Sequence, residues 1–83
     1  MGEARKAIEY YDQHLEIARE IGDRRGEGNA LDNLGSIYAA LGEVRQAIKL
    51  MEAALKIFEQ IESPDIESPR KILAELRITD NGS

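Results

Sequence analysis

Laying Gly2 onto Gly42 aligns the chain with itself at an offset of 40 residues. Glu3 then meets Glu43, Arg5 meets Arg45, Ala7 meets Ala47, Ile8 meets Ile48, Leu15 meets Leu55, Ile17 meets Ile57 and Ile21 meets Ile61. Self-similarity at such a period marks an array of small units, none of which can bury its apolar face alone and each of which is covered by its neighbour. The chain has 83 residues, so it holds about two such periods, and its core must be thin. A globule near this size buries only ~60% of the surface its unfolded chain exposes. There is no cysteine, hence no disulfide and no thiolate metal site to staple the fold, and stability has to come from helix packing or from association.

The period is filled by helices. Ala4, Ala7, Ile8, Tyr11, Leu15 and Ala18 recur at steps of three and four and predict a first helix from about Glu3 to Ile21, with Tyr10, Ile17 and Ile21 widening its apolar face. Gly22 stops it, and the charged, glycine-containing run from Asp23 to Gly28 reads as a mobile connector. Leu31, Leu34, Ile37, Tyr38 and Leu41 predict a second helix from about Glu27 to Leu41, ended by Gly42. A third runs from about Glu43 to Ile61 on Val44, Ala47, Ile48, Met51, Ala54, Leu55, Phe58 and Ile61. The turn between the second and third helices is tight and forces an antiparallel hairpin. Ser63-Pro64 and Ser68-Pro69 each pair a capping residue with a proline suited to the first helical position. The second pair predicts a short last helix from about Pro69 to Ile78. Its Leu73 and Leu76 match Leu31 and Leu34 at an offset of 42, which makes it a degenerate copy of the second helix.

Leu31, the pair Leu34-Gly35, Tyr38, Ala47 and Ala54 together resemble the pattern of tetratricopeptide repeats, which place a large residue, a Leu-Gly pair, an aromatic and two small crossing residues at these positions. The spacing is longer than the usual ~34 residues and is similar to the variety found in signalling scaffolds and bacterial and archaeal regulators. The resemblance implies an all-α, right-handed solenoid of antiparallel helix hairpins with about four helices. Residues 3–21 would be the second half of one repeat, 27–62 a complete repeat, 66–79 a degenerate half repeat or capping helix, and 80–83 a disordered tail. The family pattern is broken at His14, which aligns with the small Ala54, and at Tyr11 and Met51, which stand where phenylalanine is common. Gly35 costs ~1 kcal/mol of helix propensity relative to alanine, so a mid-helix glycine implies a neighbour too close for a side chain.

The residues offer little chemistry. His14 is the single histidine, no two histidines stand four apart, and no serine has a base arranged to activate it. No Gly-rich phosphate loop is present. The expectation is a non-enzyme with no cofactor. A formal charge of −5 speaks against nucleic acid and anionic lipid as partners. No apolar run reaches the ~20 residues of a membrane span, and the cytoplasm is the default location. Arg24 and Arg25 form a loop pair able to hold an acidic residue.

Two surfaces carry the functional expectation. Asn29, Asp32, Asn33, Ser36 and Ala40 fall within one quadrant of the second helix, a stripe of short polar side chains. In the family that helix lines the concave side, so the resemblance implies a groove for a peptide or partner protein, with Asn33 at the position most used. The alternatives are a structural self-association segment or the regulatory array of a larger protein. The first helix lacks the first half of its hairpin, so Ile8, Tyr11, His14 and Leu15 are expected to be covered by a second copy. That homodimer forms either by pairing two first helices or by exchanging them across the Gly22 to Gly28 connector.

Overall fold

The structure is a computed structural model that describes residues 2–82. Helix α1 spans Glu3–Ile21, α2 Arg24–Ala40, α3 Val44–Gln60 and α4 Glu67–Gly82, with a 3₁₀ turn at Pro64–Ile66 before α4. These form the expected all-α solenoid of antiparallel hairpins. Consecutive helices pack on one another, and α2 also touches α4, whereas α1 and α3 make no close backbone approach among the described residues. The molecule measures 40 × 33 × 15 Å, so its core is no more than two helices deep.

The helices end at a strict interval of 20 residues. Asp23 N–H donates to the Ala18 carbonyl at 2.8 Å, Glu43 N–H to Tyr38 at 2.9 Å, and Ser63 N–H to Phe58 at 2.9 Å. Each is the long bond of a Schellman cap, which needs a residue in the left-handed region just before the donor. Gly22 supplies it at φ 75° and Gly42 at φ 82°. In the third turn the same role falls to Glu62 at φ 54°, a conformation that costs a side-chain-bearing residue roughly 1–2 kcal/mol. The 40-residue repeat is thus two equal halves closed by the same turn. The extra two residues before α4 are taken up by the 3₁₀ turn, whose Ser63 Oγ accepts from Asp65 N–H at 3.1 Å.

The core falls into two clusters. In the first, Phe58 is fully buried with Leu31, Ala54 and Ile57, and half-buried Leu15 from α1 and Ile66 from the 3₁₀ turn pack against it. In the second, Ala47 and Met51 of α3 meet Leu73 and Leu76 of α4, with Tyr38, Ala39 and Ile72 at the edge. Both need a missing side chain on α2. A Cβ on Gly28 would lie 2.5 Å from the Phe58 ring, and one on Gly35 would lie 2.9 Å from the Met51 methyl. Gly35 therefore does mark a close crossing, as its mid-helix position implies.

Three boundaries differ from the sequence expectation. The run from Asp23 to Gly28 is no mobile connector: α2 starts at Arg24, Asp23 caps it by accepting from Gly26 N–H at 2.9 Å, and Gly26 and Gly28 are buried near its start. Glu27 is buried there as well. Its carboxylate takes charge-assisted bonds from Arg19 Nε at 3.1 Å and Arg24 Nη1 at 2.9 Å, tying α1 to α2 across the turn. The last helix is longer than expected at both ends. Helix α4 begins at Glu67 and continues through Gly82, with Asp80 3.7 Å from Arg45, so residues 80–82 extend a helix where a disordered tail was expected. Ser83, the rest of that tail, lies outside the described residues.

The repeated turn gives a test of sign as well as size. Glu62→Gly should stabilise the protein by about 1 kcal/mol, and Gly42→Ala should destabilise it by a similar amount, because one relieves and the other creates left-handed strain. Thermal or denaturant melts of the two variants check both.

Candidate partner-binding surfaces

On α2 the stripe of short polar side chains is present but not uniform. Asn33, Ser36 and Ala40 are exposed, and Asn29 is half-buried. The Asn33 amide donates to the Asn29 carbonyl one turn back at 2.9 Å, which holds its carboxamide along the helix. Asp32 differs from the rest. It is half-buried where α2 meets α4, and its Oδ2 accepts from the Ser68 hydroxyl at 2.9 Å. Its Oδ1 is buried with no hydrogen-bond partner among the described residues. Asp32 therefore joins two helices first, and only its neighbours form a free surface.

Burial pushes the Asp32 carboxyl above its ordinary value, the Ser68 hydroxyl opposes that shift, and the negative charge of Asp65 adds to it. A folded-state value raised above the unfolded one favours the protonated form. Its stabilising effect is present below the ordinary carboxylate range and is lost as pH rises through the folded value.

The arginine pair separates in the same way. Arg24 is engaged with Glu27 and with Gln60 of α3, while Arg25 is exposed. No group of three His, Asp or Glu side chains able to hold a metal ion exists among the described residues. No helix of the described residues is long and apolar enough to cross a membrane.

The second surface lies on α1. The four residues expected to need a cover, Ile8, Tyr11, His14 and Leu15, are all half-buried, and Leu15 turns inward onto the Phe58 cluster. His14 Nδ1 is buried without a hydrogen-bond partner among the described residues, and its ring lies 6.5 Å from that of Tyr10. The openly exposed apolar residues are Tyr10 at 64%, Ile17 at 54% and Ile21 at 71%. They lie within about 40° of one another on the helix wheel at 100° per residue. The signal for them is in the sequence: they are what makes the apolar face of the first helix wider than one neighbour can cover.

This arrangement of capped, antiparallel hairpins belongs to a family of protein–protein interaction modules. The chain is a member of the tetratricopeptide repeat family, whose pattern it matches over residues 1–60. It is 32% identical over 57 residues to outer dynein arm-docking complex subunit 4 of Danio rerio, covering 69% of this chain and 12% of that protein. It is 41% identical over 42 residues to G-protein-signaling modulator 1 of Homo sapiens, covering 51% of this chain and 6% of that protein. The chain thus spans only a small part of the relatives it matches. Its fold is similar over its full length to the solution NMR structure of a designed protein, DA05, with a TM-score of 0.86, 26% identity and 84% of that chain covered.

Asp32→Asn keeps the acceptor for Ser68 and removes the buried charge. The variant should melt above the parent at neutral pH, and the gap should close as pH falls into the carboxylate range, where Asp32 becomes neutral too. Melting curves at several pH values read this directly.

Proposed function

We propose that this chain works by binding rather than catalysis, holding a peptide or a segment of a partner protein along the side where α2 and α4 approach each other. The observation that carries the reading is the asymmetry of contact: α2 touches α4, whereas α1 and α3 stay apart among the described residues. Such an array curves toward its even-numbered helices, and the hollow side is then α2 and α4. On that side α2 offers Asn29, Asn33, Ser36 and Ala40, short side chains that leave room for another backbone and lose little rotamer entropy on binding. At the offset of 42 the matching positions of α4 are Lys71, Glu75, Ile78 and Gly82. Exposed Arg25 stands at one end of the stripe and exposed Ile78, 73% accessible, stands near the other. A partner segment with an acidic residue at one end and an apolar one some two turns on would match both. The relatives' names mention an outer dynein arm-docking complex and modulation of G-protein signalling. Both activities are compatible with an interaction module.

The open face of α1 favours self-association as a second reading. A homodimer would cover Tyr10, Ile17 and Ile21 along with the rim formed by Ile8, Tyr11 and His14, either by helix pairing or by exchange of α1.

Asn33→Ala should leave helicity and the melting temperature nearly unchanged, since an exposed polar position moves stability by less than about 0.5 kcal/mol. The same change should weaken a peptide selected on the parent protein by several-fold or more, read by titration calorimetry. Unchanged affinity for such a peptide, with binding lost instead on α1 substitutions, would put the site elsewhere.

A further inference from the structure

The chain carries two Ser-Pro pairs, and the fold puts them to different uses. Ser63 is 4% exposed, and its Oγ accepts from Asp65 N–H to cap the 3₁₀ turn. Ser68 is exposed and caps nothing, because α4 has already begun at Glu67. Its hydroxyl instead donates to Asp32 Oδ2 at 2.9 Å, which ties the start of α4 to the middle of α2. The pair that reads as a helix start in the sequence is an accessible hydroxyl set against a carboxylate, with Pro69 buried directly behind it.

The charge of Asp32 rests on that hydroxyl. Burial disfavours the carboxylate form, the Ser68 hydroxyl favours it, and the charge of Asp65 disfavours it again. Oδ1 is buried with no hydrogen-bond partner among the described residues, so Ser68 is the donor that holds this side chain. The next arginine along α4, Arg70, stands 3.6 Å from Glu67 and is engaged there. The approach of α4 to α2 is slight beside its packing on α3, and one bond at Ser68 therefore weighs heavily in it.

The segment can also open. A residue before proline is disfavoured in the helical conformation, and the first four amides of a helix make no bond within it. Ser68 is the second residue of α4 and precedes Pro69, so this turn unwinds more readily than the rest of the helix and then presents Ser68-Pro69 as an extended dipeptide.

We propose that Ser68 is a phosphorylation site for a proline-directed protein kinase, and that the phosphate releases the start of α4 from α2. In the transfer, the Ser68 Oγ bonds the γ-phosphorus of a nucleoside triphosphate and the bond from that phosphorus to the oxygen bridging to the β-phosphate breaks. The nucleoside diphosphate leaves, and the hydroxyl proton passes to a base of the kinase. The modified side chain has lost the proton it gave to Asp32 and carries a charge of about −1.5 to −2. The terminus of α4 offers that phosphate roughly half a positive charge, against the full negative charge of the Asp32 carboxylate with Asp65 close by. Repulsion decides the sign, and the side where α2 and α4 meet widens. The release of α4 stands apart from the proposed groove, whereas the loss of a peptide held there rests on that reading.

Incubation of the protein with a proline-directed kinase and magnesium ATP, read by mass spectrometry, should add one phosphoryl group at Ser68 and leave the buried Ser63 unmodified. Ser68→Ala should take up none. The phosphorylated protein should melt below the parent, and the amides at the start of α4 should exchange with solvent about tenfold faster or more. With Asp32→Asn, whose amide can donate to the phosphate, the drop in melting temperature should largely disappear. Affinity for a peptide selected on the parent should fall with the same modification. Absence of phosphate at Ser68, or equal labelling of Ser63, would overturn the site. A phosphorylated protein that melts at or above the parent, or that loses as much stability with Asp32→Asn, would overturn the release. Faster exchange in α4 with unchanged peptide affinity would uphold the proposal and count against the groove reading instead.

Discussion

The Phe58 ring lying over Gly28 is the contact on which the rest of the molecule depends. Phe58 is the largest of the fully buried side chains, and it sits where α2 and α3 cross, in the cluster that Leu15 reaches from α1 and Ile66 from the 3₁₀ turn. In a body 15 Å thick there is no second layer to compensate for a misplaced helix, so closeness of approach has to be built into single positions. A glycine near the start of α2 lets the aromatic ring rest directly on backbone, and this draws the hairpin together. Around it the buried Glu27 carboxylate fixes the angle at which α1 joins, through Arg19 on one side and Arg24 on the other. A carboxylate so placed is retained only with its bases in hand, because an unpaired buried charge is strongly destabilising.

From that node the architecture follows by repetition. Three turns with the same hydrogen bond at intervals of 20 residues lay down helices of nearly equal length in alternating directions, and small residues at the crossings set their spacing. The two ends then differ. Helix α4 presents Arg70 and Arg77 where α2 has glycines, whereas α1 keeps the apolar stripe that its copy α3 buries. The polar stripe of α2 and the bare stripe of α1 are therefore consequences of one stacking rule acting at different places. The first lies on the side where α2 and α4 approach each other, and the second is the face of α1 whose counterpart on α3 packs against α2.

Much of this is legible in the sequence because it is written in periodic, local signals. The 40-residue repeat, the apolar faces of all four helices, the glycine stops at Gly22 and Gly42 and the small residues at Gly35, Ala47 and Ala54 all map directly onto the fold. What escapes is decided by partners distant in sequence or by context. Gly28 looks like a linker residue until Phe58, thirty positions beyond it, is known to need the space, and Gly26 until the Asp23 cap is seen to fold over it. Glu27 reads as an ordinary first-turn acid, and only the approach of α1 buries it. Glu62 carries no mark of the left-handed conformation it adopts, since composition there argues against it. Asp32 does lie on the polar stripe, but its bond to Ser68 depends on where α4 lands. The extent of α4 escapes as well, because the polar run at 79–82 reads as a tail by composition and continues as helix in the fold.

The claim that one close approach organises the fold is tested most directly by a double-mutant cycle on Gly28→Ala and Phe58→Leu, measured by denaturant unfolding. Gly28→Ala alone gains helix propensity, so a destabilisation of about 1–3 kcal/mol would have to come from crowding against the ring. In the Phe58→Leu background, where the smaller side chain yields the space, that penalty should shrink or reverse, giving a coupling of about 1 kcal/mol or more between the two positions. Additive effects within about 0.5 kcal/mol, or a Gly28→Ala protein more stable than the parent, would mean that α2 and α3 are held together by other contacts, and would contradict the organising role of the Phe58–Gly28 approach.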